Sequence, residues 1–120
     1  MKTAIILIAV IVVLIVFFNY SKRKSMEKIF ALDPAQLLII DVRTKEEYDA
    51  GHFSTAISIP YDQITGRIPE LQQHRQKGIV LYCHSGGRAA AVEKVLKNNG
   101  FANVINAGGY QAIRKFDTHD

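Results

Sequence analysis

Apolar residues fill positions 4–18 without a break, and nothing later in the chain repeats that pattern. A run with no polar face is not the surface helix of a soluble domain. As a helix, Met1 to Tyr20 would reach about 30 Å at 1.5 Å per residue, the thickness of a bilayer core. Tyr20 suits the interface, and Lys22, Arg23 and Lys24 can carry their charges to the headgroups. A secretory signal shares the basic start and the apolar stretch but ends at a small-residue cleavage site. Phe17, Phe18, Asn19 and Tyr20 close this run instead. The pattern predicts a retained transmembrane anchor over residues 1–20, with export after signal cleavage as the alternative.

Past the anchor the pattern changes. Residues 21–32 read as a basic, polar linker, and 33–120 as one folded domain. Asp33-Pro34 is a cap followed by proline, the start of a short turn. Leu37 to Ile40 is an all-apolar run ending at Asp41, a strand buried on both faces. Thr44 with Glu47 forms a capping box for a short helix that stops at Gly51. Ala56 to Ile59 is a short strand closed by Pro60. Asp62 to Gln76 reads as a helix weakened by Gly66 and Pro69. Ile79 to Tyr82 is the next strand. Arg88 to Asn98 is an amphipathic helix, with Val92, Val95 and Leu96 on one face and a Glu93–Lys97 pair outside. Asn103 to Ile105 is a last strand, and Gly108-Gly109 leads to a terminal helix. Apolar strands alternating with helices predict an α/β fold, a parallel sheet flanked by helices on both faces.

Charge sharpens the picture. The net charge is +4, yet Met26 to Asp120 holds eleven basic and eleven acidic residues. The excess lies in Lys2 and the Lys22-Arg23-Lys24 cluster, a membrane flank rather than a nucleic-acid footprint. The positive-inside bias places the domain on the cytoplasmic side of a single-pass anchor. The expected associations are a membrane contact through residues 1–20, with room beside it for a membrane-protein partner, and no nucleic acid.

The single cysteine excludes an internal disulfide and a multi-cysteine zinc site. It lies in Cys83-His84-Ser85-Gly86-Gly87-Arg88, between a strand and a helix. In open parallel sheets, ligands bind beyond the carboxyl ends of the strands, where Cys83 and Asp41 both fall. A thiol there meets the unpaired N–H groups and the positive dipole end of the helix, which favour thiolate. The same amides can hold an anionic substrate or intermediate. Gly86 and Gly87 permit positive φ and close approach of the backbone. His52, His74, His84 and His119 show no metal spacing, so no metal is expected, and no residue set suggests any other cofactor.

The ordered pieces Asp41-Val42-Arg43, Glu47-Tyr48, Gly51-His52-Phe53, Ala56 to Pro60, the Cys83–Arg88 loop and Gly108-Gly109 resemble a single-domain rhodanese. The resemblance covers about Leu37 to Tyr110. It implies a five-stranded parallel sheet and a sulfurtransferase cycle. Cys83 would take sulfur from a small anion such as thiosulfate, and its persulfide would pass that sulfur to a thiol or cyanide acceptor. His84, Ser85, Gly86, Gly87 and Arg88 would form the substrate-binding loop, with Arg88 donating to the anion or pinning the loop. His84 would bond the substrate, tune the thiolate or point to solvent. Asp41 and Arg43 are expected as supporting residues at the mouth, Arg43 pairing with Glu47 or another acid. The rivals are a sulfur-carrier or binding module at a membrane, and a cysteine phosphatase or arsenate reductase. Such phosphatases place five residues between Cys and Arg, whereas four separate Cys83 from Arg88.

Overall fold

The computed structural model of the protein describes residues 1–117. The chain forms two compact units, Met1–Ala31 and Leu32–Asp120.

The first unit is one helix, α1 (Lys2–Phe30). Its side chains from Ile5 to Phe18 are exposed, and it is long and apolar enough to cross a membrane. Ser21 to Phe30, expected as a tether, continues the helix. No glycine or proline interrupts this stretch, Ser25 Oγ donates to the Ser21 carbonyl (3.1 Å), and Arg23 pairs with Glu27 one turn on. Pro34 then forces Asp33 out of helical geometry, to φ −55° and ψ 129°.

The second unit holds four parallel strands in the order β2-β1-β3-β4: β1 (Leu37–Asp41), β2 (Ile57–Ser58), β3 (Gly78–Cys83) and β4 (Val104–Gly109). The resemblance implied five, and four are present among the described residues. Helices flank the sheet: α2 (Lys45–Asp49), α3 (Ile64–Leu71), α4 (Gly87–Asn98) and α5 (Tyr110–Ile113). Alternate strand positions face opposite ways. Ile40, Ile79, Leu81 and Cys83 share one core with Ile64 and Leu71 of α3 and with Ala89, Val92 and Leu96 of α4. Ile39, Val80 and Tyr82 occupy the alternate positions and are buried as well. That double burial is why the strands read as unbroken apolar runs.

Two elements depart from expectation. Residues 62–76 are not one helix: 3-10 turns at Tyr61–Gln63 and Gln72–His74 bracket α3. Pro69 removes one hydrogen bond from that helix, and the Gln72 N–H closes back on the Pro69 carbonyl to tighten its end. Second, β4 runs through Gly108 and Gly109 instead of stopping near Ile105. A bulge makes this possible: the register moves from Leu81 opposite Asn106 to Cys83 opposite Gly109.

Candidate active site

Cys83 ends β3, and α4 begins four residues later. Gly86 makes the turn between them at φ +102°, a left-handed conformation that L side chains resist. Gly87, expected to share that role, is the first residue of α4 and takes no positive φ. The turn aims the Gly86 N–H at Cys83 Sγ, 2.9 Å away. Cys83 is 1% exposed. Burial pushes its thiol pKa up, and the backbone N–H groups of Ala89, Ser85, Gly86 and Arg88 together pull it down further, leaving it below the ordinary value. The sulfur therefore has aliphatic neighbours on its core side and an arc of amides on its loop side.

Strand β4 supports this arc. Asn106 Nδ2 donates to the Gly86 carbonyl (2.9 Å), and its Oδ1 accepts the Gly108 N–H (2.8 Å). A Cβ on Gly109 would collide with the His84 carbonyl oxygen, so the loop lies directly on β4 backbone only because that position is glycine. Asn106 was not anticipated. The signal for it was a lone amide side chain inside the otherwise apolar Val104-Ile105-Asn106-Ala107 run.

Arg88 sits in the first turn of α4 and makes a two-point ion pair with Glu47. Nη1 donates to Oε1 at 2.8 Å and Nη2 to Oε2 at 3.1 Å. Glu47 also completes the capping box of α2: its backbone N–H donates to Thr44 Oγ1, and its Oε1 accepts the Thr44 N–H. The Arg88 bond is the main reason that the Glu47 carboxyl titrates at about 2. Glu47 first, and the nearby Cys83 sulfur less strongly, hold the Arg88 pKa above its ordinary value. The ring of Tyr61 lies 5.9 Å from the Arg88 guanidinium and is about half exposed. His84 and Ser85 are exposed on the loop.

Asp41 and Arg43 do not stand at the mouth beside Cys83. Arg43 pairs with Asp41 and not with Glu47: Nη2 donates to Oδ2 at 2.7 Å and Nε to Oδ1 at 3.0 Å. Both side chains are buried, at 8% and 0% exposure. Arg43 also donates to the Gly51 carbonyl (2.6 Å) and stacks on Tyr110, 4.7 Å from its ring centroid. Asp41 lies opposite Tyr82 in the sheet register, and Tyr82 precedes Cys83 in β3. Asp41 and Tyr82 thus share the face that Cys83 does not, which is why this pair braces the back of the sheet. The Tyr82 hydroxyl accepts the Phe53 N–H (3.0 Å), and burial raises its pKa.

His52 is satisfied structurally. Its Nδ1–H donates to the Tyr48 carbonyl (2.8 Å), and its ring stacks on Tyr48 at 3.7 Å. Among the described residues no three His, Cys, Asp or Glu side chains cluster as a metal site. His119 lies outside the described residues.

Comparison with known proteins bears on both fold and chemistry. The family model described as "Rhodanese-like domain" matches residues 23–115. A solved structure titled "rhodanese with anions from E. coli" is 31% identical and covers 64% of this chain and 91% of its own, with a TM-score of 0.60. The rhodanese-like domain protein of Staphylococcus aureus is 30% identical and covers 76% of this chain and 85% of its own, with a TM-score of 0.62. Curated relatives carry another name. The tRNA uridine(34) hydroxylases of Citrobacter koseri and Sodalis glossinidius are 37% and 40% identical over 98 and 96 residues. Those matches take in 77% and 76% of this chain but 28% and 27% of the relatives, so the chain spans about a quarter of their length.

These relatives correct two expectations. They are named for hydroxylating a uridine of tRNA, which overturns the reading of a thiosulfate-to-thiol or -cyanide sulfurtransferase. It also overturns the exclusion of a nucleic-acid partner. The physical reason for the first is that amides around a sulfur stabilise its anion whatever that anion attacks. The second rested on a charge count over the domain, which says nothing of where a neutral base is held. The parallel sheet, the Cys83–Arg88 turn, the family match over 23–115 and the likeness to solved rhodaneses agree, and the chain belongs to the rhodanese-like domain family.

Proposed function

We propose that this protein is a cysteine-dependent enzyme acting on the uracil ring of uridine 34 in tRNA, with Cys83 as its nucleophile. One observation carries the reading. The Gly86 N–H meets Cys83 Sγ at 2.9 Å, at the N-terminus of a twelve-residue helix, in a chain 37–40% identical to enzymes named for that substrate.

The chemistry follows from the thiolate. Its lone pair adds to the ring carbon conjugated with the uracil carbonyl, a C–S bond forms, and the ring double bond passes its electrons toward the neighbouring carbon. A two-electron oxidant at the level of a peroxide, HO–OR, supplies the hydroxyl to that carbon: the new C–O bond forms as the O–O bond breaks, and RO− leaves. Loss of the carbon-bound proton and departure of Sγ restore the double bond. The amides that lower the thiol pKa also make the sulfur a good leaving group. Tyr61 offers an aromatic face of the kind on which RNA-binding proteins stack a splayed base.

The helix α1 fits the same reading as a single-pass anchor. Lys22, Arg23, Lys24 and Lys28 outweigh Lys2 and the terminal amine, which favours a cytoplasmic domain, on the side where tRNA is found. Protease protection in sealed vesicles tests this: the domain is expected to be shielded in right-side-out vesicles and cut in inverted ones, and the reverse overturns the topology. N-terminal sequencing is expected to find α1 retained.

For the activity, the full chain is expressed in cells lacking their own uridine-34 hydroxylase, and tRNA nucleosides are read by mass spectrometry. Hydroxylated uridine is expected with the natural sequence and not with Cys83→Ser. Equal amounts from the two, or none from either, overturns the reading.

A further inference from the structure

We propose that Glu47 sets what the Cys83 loop accepts: by holding Arg88 in a two-point ion pair it cancels the loop's single strong cation, so the site takes an uncharged electrophile in preference to a small oxyanion.

A thiolate surrounded by amides is by itself no reason to prefer a neutral partner, because the same amides attract anions. The choice depends on the charges beside it. Arg88 is the only lysine or arginine between Cys83 and Lys94. Both of its terminal nitrogens are engaged by Glu47, at 2.8 and 3.1 Å. Glu47 is not free to swing away, since its carboxylate and its N–H are both fixed to Thr44 in the cap of α2. The cations that follow β1 are committed too. Arg43 is buried against Asp41, and Lys45 pairs with Asp49 at 2.9 Å. An incoming oxyanion therefore has to displace a carboxylate already in place. An uncharged ring has no such competitor, and it gains the exposed face of Tyr61 beside Arg88.

This inference rests on Cys83 being the reacting group, and it deepens the proposed function by giving the charge class of the substrate. Because Cys83 is the chain's one cysteine, alkylation reports on this sulfur alone. Iodoacetamide and iodoacetate react identically: the thiolate forms a C–S bond and iodide leaves. They differ chiefly in charge. The measurement is the ratio of the iodoacetate rate to the iodoacetamide rate, taken on the full chain at neutral pH. His84 is common to every variant and divides out.

Glu47→Gln keeps a side chain able to close the capping box, so α2 retains its start while the Arg88 guanidinium loses its counter-charge. The ratio is expected to rise about five-fold, the size of one partly screened charge pair. The double variant Glu47→Gln with Arg88→Met is expected to return to within about two-fold of the natural chain. Glu46→Gln removes a charge from the adjacent, exposed position and is expected to leave the ratio unchanged. An unchanged ratio in Glu47→Gln, or an equal rise in Glu46→Gln, overturns the proposal. The two hypotheses fail separately. A changed ratio with no tRNA modification sinks the nucleic-acid substrate alone. An unchanged ratio with active tRNA modification sinks the role of Glu47 alone.

Discussion

Glu47 and Arg88 stand 41 positions apart and join α2 to the first turn of α4 through two N–H···O bonds. The pair closes the side of the loop opposite β4, so the amides around Cys83 Sγ are held from two directions. Asn106 fixes the Gly86 carbonyl from below, and Glu47 fixes Arg88 from the flank.

The pair predicts an acid dependence of stability. The Glu47 carboxyl titrates at about 2 in the folded protein against an ordinary 4.5. A depressed carboxyl contributes its full stabilisation above the ordinary value and loses it as pH falls through the folded one. Both side chains are about one-third exposed, so screening cuts the contribution to about 1 kcal/mol. Urea midpoints measured down the acid limb are expected to drop through this window in the natural chain and less steeply in Glu47→Gln.

The buried Asp41–Arg43 pair predicts a larger effect. Arg43→Met leaves the Asp41 charge without its partner and is expected to cost about 3–5 kcal/mol. Adding Asp41→Leu removes the stranded charge and is expected to recover most of that loss. Chemical denaturation of the two variants checks this. The ratio of alkylation rates at Cys83 is expected to stay unchanged in the folded fraction, because the pair lies on the other face of the sheet.

Gly86→Ala tests the loop conformation. A Cβ there meets Gly108 Cα at 3.3 Å and must adopt φ +102°. The strain is about 1–2 kcal/mol. As the Gly86 N–H moves off Sγ, the thiol pKa is expected to rise, which ultraviolet absorbance of the thiolate against pH will show. Asn106→Leu removes the loop's support without touching the sulfur and is expected to raise the thiol pKa in the same direction.

Tyr61→Ala removes the exposed ring beside Arg88. If that ring stacks a base, tRNA affinity is expected to fall about ten-fold or more, with Tyr61→Phe close to the natural chain. Filter binding with both variants decides it. Equal affinity in Tyr61→Ala removes Tyr61 from the substrate site.

Much of this arrangement was legible beforehand. Apolar runs placed β1 and β3, the Thr44–Glu47 spacing marked the capping box, and the Cys83–Arg88 spacing located the turn. What could not be read were the partners that meet only in space. Of the acids expected for Arg43, Glu47 or another, it is Asp41 that pairs with it, because two residues apart at the C-terminal end of β1 they lie on one side of the chain. That left Glu47 for Arg88. Asn106 was overlooked although it is a lone amide in an apolar run, because its partner, the Gly86 carbonyl, lies 20 residues away and meets it only across β3 and β4. The substrate was hidden for a different reason: the backbone amides that stabilise Cys83 Sγ carry no record of what the sulfur attacks.

Cys83 is the one thiol in the chain, so no cysteine beside it in this sequence can resolve an oxidised sulfur. A sulfenic acid formed on Cys83 finds no second cysteine with which to condense, so its rescue falls to a reductant small enough to enter. A mouth that admits a uracil ring admits peroxide as well, so the low-pKa sulfur that does the chemistry is also the atom at risk. Oxidative damage to this protein is therefore long-lived once made.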